Sequence, residues 1–460
     1  MEETVSSVAA VLGGFVLVYG LCSLIIKEKL YISEALVAVS FGVLVGPVGV
    51  GLIDVTHWQY KQDFTQQFSR IVIALQVMAA GVALPKAYLR KEMKSLLILL
   101  GPTMIWMWII SGLCVYLLFP GLSFLQALMI ASCFTPTDPV LANLIVHGHF
   151  AEKHVPTNVR HIISAESGAN DGLGYPFLFL ATYLIQQPTA TALNEWTLHV
   201  MLYEICFSVV LGFVAGYVAR KLLKFAQKKR LVDHDSFTLY AIALASFLMG
   251  FVGLLGSDDL LACFIAGNSF TWDDWFRIET EDSRLVESID MMLNLSIFIY
   301  IGIIMPWDSF TDASLNMSIW RLLLLAVLVH LFRRLPVVTA LYKFIPAIRT
   351  WREAVFTGWF GPMGVGSVFY CTVAIASFAP DGPNAYALQL IEPIVYFIVL
   401  SSVLVHGITV PLFHIGKIAH ISLSFTAVSV KSSEVDEETL IPASPSSYGA
   451  INANTSTSPA

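Results

Sequence analysis

Charge is what this chain has least of. Asp, Glu, Lys and Arg make up 13% of its 460 residues, against about 25% in soluble domains. So few charges cannot cover a water-facing surface, which excludes the three or so soluble domains that the length would otherwise suggest. A net charge of −7 excludes a basic nucleic-acid binder, and no nucleic-acid partner is expected. A cysteine framework is also missing. Cys22, Cys114, Cys133, Cys206, Cys263 and Cys371 all fall in apolar stretches, with no Cys-x-x-Cys among them. They read as packing residues, not as disulfides or zinc ligands, and no cofactor is expected. The opening Met1-Glu2-Glu3 lacks the basic stretch of a cleavable leader, so the first apolar segment is expected to remain as a helix.

What the chain has in abundance is long apolar runs. Hydrophobic residues make up 56% of it and the mean hydropathy is +0.73. A membrane span needs about 20 mostly apolar residues. Thirteen segments are candidates, at roughly 6–26, 31–53, 67–85, 95–118, 124–146, 159–186, 197–222, 235–255, 258–271, 288–306, 318–345, 353–379 and 391–416, the ninth of them short. Lipid cannot satisfy an open backbone, so each is expected to be helical. The fold class is therefore an all-α polytopic membrane protein of about thirteen transmembrane helices. Merging the eighth and ninth segments would leave twelve. The basic residues favour thirteen: Lys and Arg fill the loops after the first, third, fifth, seventh, ninth and eleventh spans, and the alternate loops are nearly bare apart from Lys61. With positive loops inside, the N-terminus is predicted outside and the C-terminus in the cytoplasm. Residues 1–420 form the membrane domain, in contact with lipid. Residues 421–460, rich in Ser, Thr, Pro and acids, read as a disordered cytoplasmic tail. The acidic stretch 273–290 reads as a solvated loop.

Two spans should break in mid-membrane. The fifth contains Thr135-Pro136-Thr137-Asp138-Pro139 and the twelfth Gly361-Pro362-Met363-Gly364-Val365-Gly366. Proline removes backbone donors and glycine loosens the helix. The two spans are seven apart in order, so they cross in opposite directions. Broken helices at matching positions of two inverted halves point to a secondary-transporter site.

Ionisable residues inside spans are expensive to bury and are functional candidates by default. Asp138 lies between the two prolines, where unwound carbonyls and the hydroxyls of Thr135 and Thr137 make a hard-oxygen site; the competing reading is an N-cap for the second half-helix. In the sixth span, Glu166-Ser167-Gly168-Ala169-Asn170-Asp171 places Glu166 over Asn170 and Ser167 over Asp171 on helical faces. Arg333-Arg334 in the eleventh span needs a carboxylate partner if buried. Glu166 is the best candidate, which leaves Asp171 free for a cation. Ser257-Asp258-Asp259 opens the ninth span, where acids also suit a helix N-terminus. His330, His406 and His414 read as helix–helix hydrogen-bonding residues.

These motifs resemble the fungal plasma-membrane Na⁺/H⁺ antiporters of the monovalent cation:proton antiporter family. The resemblance is carried by residues 135–142, 165–172, 256–262, 333–338 and 358–366. It implies an inverted-repeat antiporter fold with dimerisation and core subdomains, a homodimer, and a plasma-membrane location. By motif it implies that Asp171 binds the cation and the proton, with Thr137, Asp138, Ser167 and Asn170 around it and Na⁺ held at Asp171 and Asp138. The Asn170-Asp171 pair resembles the electroneutral branch, exchanging one proton for one Na⁺, Li⁺ or K⁺. Glu166 would pair with Arg334, or with Arg333 one residue away. Asp258 and Asp259 match accessory acids of the fungal group. Other readings are a cation channel, a K⁺-selective exchanger, and an intramembrane serine protease built on Gly364-Val365-Gly366-Ser367 with His330 or His406 as base.

Overall fold

The structure is a computed structural model. It describes residues 2–55, 58–139, 141–142, 151, 153, 155–280, 285–380 and 382–435. Every regular element among them is helical. Each of the thirteen expected spans contains helix, and the eighth and ninth are separate helices, His234–Leu254 and Asp259–Phe270. Their turn is closed by Gly256 at φ +68°, with Ser257 N donating to Val252 O at 3.2 Å, a glycine-terminated helix end. Among the described residues, six helices are long and apolar enough to cross a membrane by length and composition. The other spans are shorter, broken or more polar. The third, Lys61–Ala83, buries Thr65, Ser69 and Gln76.

Both expected breaks are present. The fifth span opens with the half-helix Phe124–Cys133, held at its start by a reciprocal Ser123–Gln126 capping box, and leaves the helix through Phe134–Asp138. It resumes at Pro139, a residue suited to the first helical position. Residues 143–146 of this span lie outside the described residues. The twelfth span is split into Trp351–Trp359 and Val365–Ala376. The sixth span is two helices, Thr157–Asn170 and Tyr175–Gln186, joined by a turn at Asp171–Gly174.

Small residues let the helices close on one another. The ninth-span helix packs between the third-span helix and the seventh-span helix Phe207–Lys228. Gly212 and Gly216 lie directly over the backbone carbonyls of Ala262 and Ala266, the close approach that small residues allow in membranes. The seventh span enters this contact through a π-helix, Trp196–Cys206.

The chain divides into two compact units, Met1–Pro411 and Leu412–Ala460. In the second, the backbone is helical to Val435, so the first part of the expected tail has helical backbone. Residues 436–460 lie outside the described residues. So do Glu281, Asp282 and Arg284 of the acidic loop. The two acids that open that loop are paired locally. Asp273 accepts from Lys224 at 2.6 Å, and Arg277 grips Asp274 through two hydrogen bonds of 2.7 and 2.8 Å. The Arg277 hydrogen bonds hold the Asp274 carboxyl below the ordinary range.

Replacing Gly216 with Leu places carbon on the Ala266 carbonyl. Overpacking of this kind costs about 1–3 kcal/mol. The expected result is a lower melting temperature in detergent than wild type, measured by thermal unfolding. An unchanged melting temperature would mean the two helices part freely.

Candidate functional site: the crossing of the two broken helices

The breaks meet. Asp138 N donates to Pro362 O at 2.8 Å, joining the unwound backbones of the fifth and twelfth spans. Four helix ends therefore lie together inside the protein, each with unsatisfied backbone groups.

Asp138 serves both N-termini. Its Oδ1 accepts from Leu141 N at 3.0 Å, capping the second half of its own span. Its Oδ2 accepts from Val365 N at 2.6 Å, capping the second half of the twelfth span. Gly364, at that helix's own cap position, has no side chain to do so. Arg333 serves the C-terminal ends. Its Nη1 donates to Gly361 O at 3.0 Å, and its Nη2 to Thr135 O and Pro136 O at 3.2 and 3.3 Å. Anions suit helix N-termini and cations C-termini, and each group lies on the matching side.

The six-residue motif of the sixth span divides its work. Glu166 forms a two-pronged ion pair with Arg334: Nη1 donates to Oε1, and Nη2 to Oε2 at 2.6 Å. Both side chains are buried, at 2–3% exposure. Arg334 also donates from Nε to Thr357 O at 3.0 Å. Ser167 Oγ lies 3.0 Å from Thr137 Oγ1. Asn170 binds the same threonine twice, donating from Nδ2 to Oγ1 at 2.8 Å and accepting from Thr137 N at 3.2 Å. Thr137, Ser167 and Asn170 thus lock the sixth span to the break of the fifth.

Asp171 is left. It is buried, and its Oδ1 has no hydrogen-bond partner. A Cβ on Gly366 would stand 2.6 Å from that oxygen, so only glycine lets the carboxylate rest on the first turn of Val365–Ala376. Asp138 is near enough for its charge to act on Asp171. Tyr370, unremarked in the sequence, donates its hydroxyl to the backbone carbonyls of Asp171 and Gly172, fixing the turn that carries the acid.

Asp258 and Asp259 lie elsewhere. Asp258 Oδ1 accepts from Leu261 N at 2.9 Å as the cap of the ninth span. Asp259 pairs with Arg70 at 2.7 Å. Arg70 and Glu204 are further membrane-span charges that sequence reasoning passed over, although the rule that flagged the other acids applies equally to them. His330 and His406 face each other at 5.6 Å. His330 is hydrogen-bonded to Ala326 O. The side chain of His414 lies outside the described residues. Among the described residues no hydrogen bond joins Ser367 to His330 or His406, so the protease arrangement is not formed. No group of three or more His, Cys, Asp or Glu is placed to hold a metal ion among the described residues.

Two broken helices that meet in the interior, their ends met by buried charges with a carboxylate beside them, form the discontinuous-helix arrangement that recurs in secondary-transporter folds. The chain belongs to the transmembrane sodium/hydrogen exchanger family, whose sequence profile matches residues 15–415. It is 43% identical over 91% of its length to a probable Na⁺/H⁺ antiporter of Schizosaccharomyces pombe, 41% over 89% to a Na⁺/H⁺ antiporter of Saccharomyces cerevisiae, and 38% over 91% to Na⁺/H⁺ antiporter 2 of Zygosaccharomyces rouxii. The chain spans about half the length of these relatives (57, 43 and 54%). Its fold is that of the sodium proton antiporter MjNhaP1 of Methanocaldococcus jannaschii. One structure of that protein superposes with a TM-score of 0.63 at 18% identity, over 86% of this chain and 94% of the other.

Breaking a buried pair by neutralising one partner costs about 3–5 kcal/mol. Glu166→Gln is therefore expected to lower the melting temperature markedly, and adding Arg334→Met should recover much of the loss. Asp138→Ala removes two caps, each worth about 1 kcal/mol. It should destabilise more than Asp138→Asn, which keeps one acceptor. Thermal unfolding in detergent measures both.

Proposed function

We propose that the chain is a secondary active transporter. It exchanges cytoplasmic Na⁺ for external H⁺ electroneutrally, with Li⁺ and K⁺ as further candidate cargo, and proton and cation compete at Asp171. The observation that carries this reading is the state of Asp171. Among the acids of the sixth-span motif and the crossing, Glu166 is spent on Arg334 and Asp138 on two helix N-termini. Asp171 alone of these three has a buried carboxylate oxygen without a hydrogen-bond partner. Protonated, Asp171 is neutral and has no charge to hold an alkali cation. Ionised, it offers one negative charge among neutral or paired neighbours. One carboxylate that holds either ion, never both, is enough for one-for-one exchange.

Alternating access requires the site to face each side in turn. The crossing is suited to moving as a unit, because its helix ends are tied to one another by Asp138 and Arg333. The names of the fungal relatives support Na⁺ and H⁺ as cargo, and the resemblance carried by the motifs implies a homodimer and a plasma-membrane location. The alternation of basic loops supports an external N-terminus and a cytoplasmic C-terminus.

The test is dye-reported proton movement in proteoliposomes at zero membrane potential, on addition of Na⁺, Li⁺, K⁺ or choline. Wild type should move protons with one or more alkali cations and not with choline. Asp171→Asn, nearly identical in shape, should lose the response while remaining monodisperse and folded. Imposing a membrane potential should leave the wild-type rate unchanged. Exchange by Asp171→Asn at the wild-type rate would overturn the reading.

A further inference from the structure

A cavity of about 210 Å³ lies beside the crossing, among the third, sixth, seventh, eighth, ninth and twelfth spans. Its charged lining is Glu204, Asp258, Asp259 and Arg70; Tyr175 and Phe369 line it too. Three carboxylates thus face one guanidinium. Arg70 is committed, its Nε donating to Asp259 Oδ2 at 2.7 Å and its other nitrogens to Gln67 Oε1 and Met249 O, each at 3.2 Å. Asp258 is 3% exposed. Its Oδ1 caps the ninth span, and its Oδ2 is buried without a partner. Glu204 has Oε1 at 3.2 Å from His199 Nδ1, and its Oε2 is likewise buried without a partner. Two buried carboxylate oxygens without a partner, on two residues that line one cavity, are costly unless something positive meets them.

Glu204 reaches this place through the π-helix Trp196–Cys206. Such bulges recur at functional sites. Ser257, whose hydroxyl donates toward Tyr203 O and Glu204 O, ties that π-helix to the start of the ninth span, so the two acids are held in register.

We propose that this cavity is a second cation site, in which Glu204 and Asp258 hold a hydrated alkali cation. A water occupies about 30 Å³ of liquid, so the space fits an ion with several waters. Among the described residues no group of three or more His, Cys, Asp or Glu is placed to bind a metal ion directly, which favours a monovalent ion held partly through water.

The wall between this cavity and Asp171 is aromatic. Tyr370 lies edge-on to Tyr175 at 5.4 Å and to Phe369 at 5.3 Å, and its hydroxyl is bound to the Asp171 carbonyl. On the orientation proposed above, the cavity lies on the outer side, since the turn 255–258 and the start of the third span both face outward. The cavity is therefore where a cation leaving Asp171 waits before release. This sidedness rests on the exchange reading; the binding site itself does not.

The test is equilibrium binding of radioactive ²²Na⁺ to the purified full chain at alkaline pH, with wild-type exchange measured in parallel. Asp171→Asn should retain saturable binding, about half of the wild-type amount, displaced by Li⁺ or K⁺ and not by choline. Adding Glu204→Gln and Asp258→Asn should abolish it. Both changes conserve shape, and the amide oxygen introduced by Asp258→Asn can still accept from Leu261 N. Glu204→Gln alone, which removes no cap, should already weaken the retained binding severalfold. No Na⁺ binding by Asp171→Asn overturns the proposal, and so does retained binding that survives both changes. An inert wild type whose Na⁺ binding depends on Glu204 and Asp258 would overturn the exchange reading and keep the cavity. An active wild type whose Asp171→Asn form binds nothing would do the reverse.

Discussion

Four helix ends buried together in a membrane protein are an electrostatic problem before they are anything else. Each end exposes backbone groups that lipid cannot satisfy, and each carries about half an elementary charge. Two side chains answer most of it. Asp138 spreads its two oxygens over two N-termini, and Arg333 spreads its guanidinium over carbonyls from both breaks. Neither residue works within one helix. Each bridges the two spans, so the broken helices stabilise one another. The small residues follow from this constraint: Gly364 leaves room for the Asp138 carboxylate, and Gly366 for that of Asp171.

The second consequence is a division of charge. The sixth span brings two acids within six residues of one another to a crossing that already holds Asp138. Left unpaired, three carboxylates would repel one another in a poor dielectric. The Arg334 fork removes Glu166 from that balance with geometry a lysine could not reproduce. Asn170 adds no charge and spends both ends of its amide on Thr137. On the proposed reading this is the value of an amide at that position: an acid there would add a charge needing its own counter-ion, whereas the amide ties the sixth span to Thr137 and leaves the exchange one-for-one.

Much of this was legible in the sequence, because membrane proteins leave few ways to read a buried charge. The two breaks follow from Pro136, Pro139, Pro362 and Gly364, and the pairing of Glu166 with an arginine from the cost of leaving either unpaired. Which arginine was not legible. Adjacent helical residues point about 100° apart, and the eleventh span ends its first helix at Phe332, so the turn between Arg333 and Arg334 depends on a backbone irregularity that composition does not encode. Asp138 shows a related limit. Its capping of Leu141 is local and was foreseen as an alternative. Its capping of Val365, 227 residues away, depends on how two spans cross. Arg70 and Glu204 were legible and were passed over, hidden in spans whose neighbours are apolar or merely polar.

The cavity and the crossing share a wall, and that wall bears on how a cation could pass between them. Tyr370 belongs to the half-helix whose first turn is held by Asp138, and its hydroxyl holds the turn that carries Asp171. Tyr175 continues that turn into the next helix and lines the cavity. A displacement of the Asp171 turn relative to the Val365–Ala376 helix therefore disturbs the tyrosine hydrogen bond, the edge-on ring contact, or both. The aromatic wall is coupled mechanically to the carboxylate, not merely next to it. On the proposed reading, a change in what Asp171 binds is also a change in the force on the wall that separates it from Glu204 and Asp258.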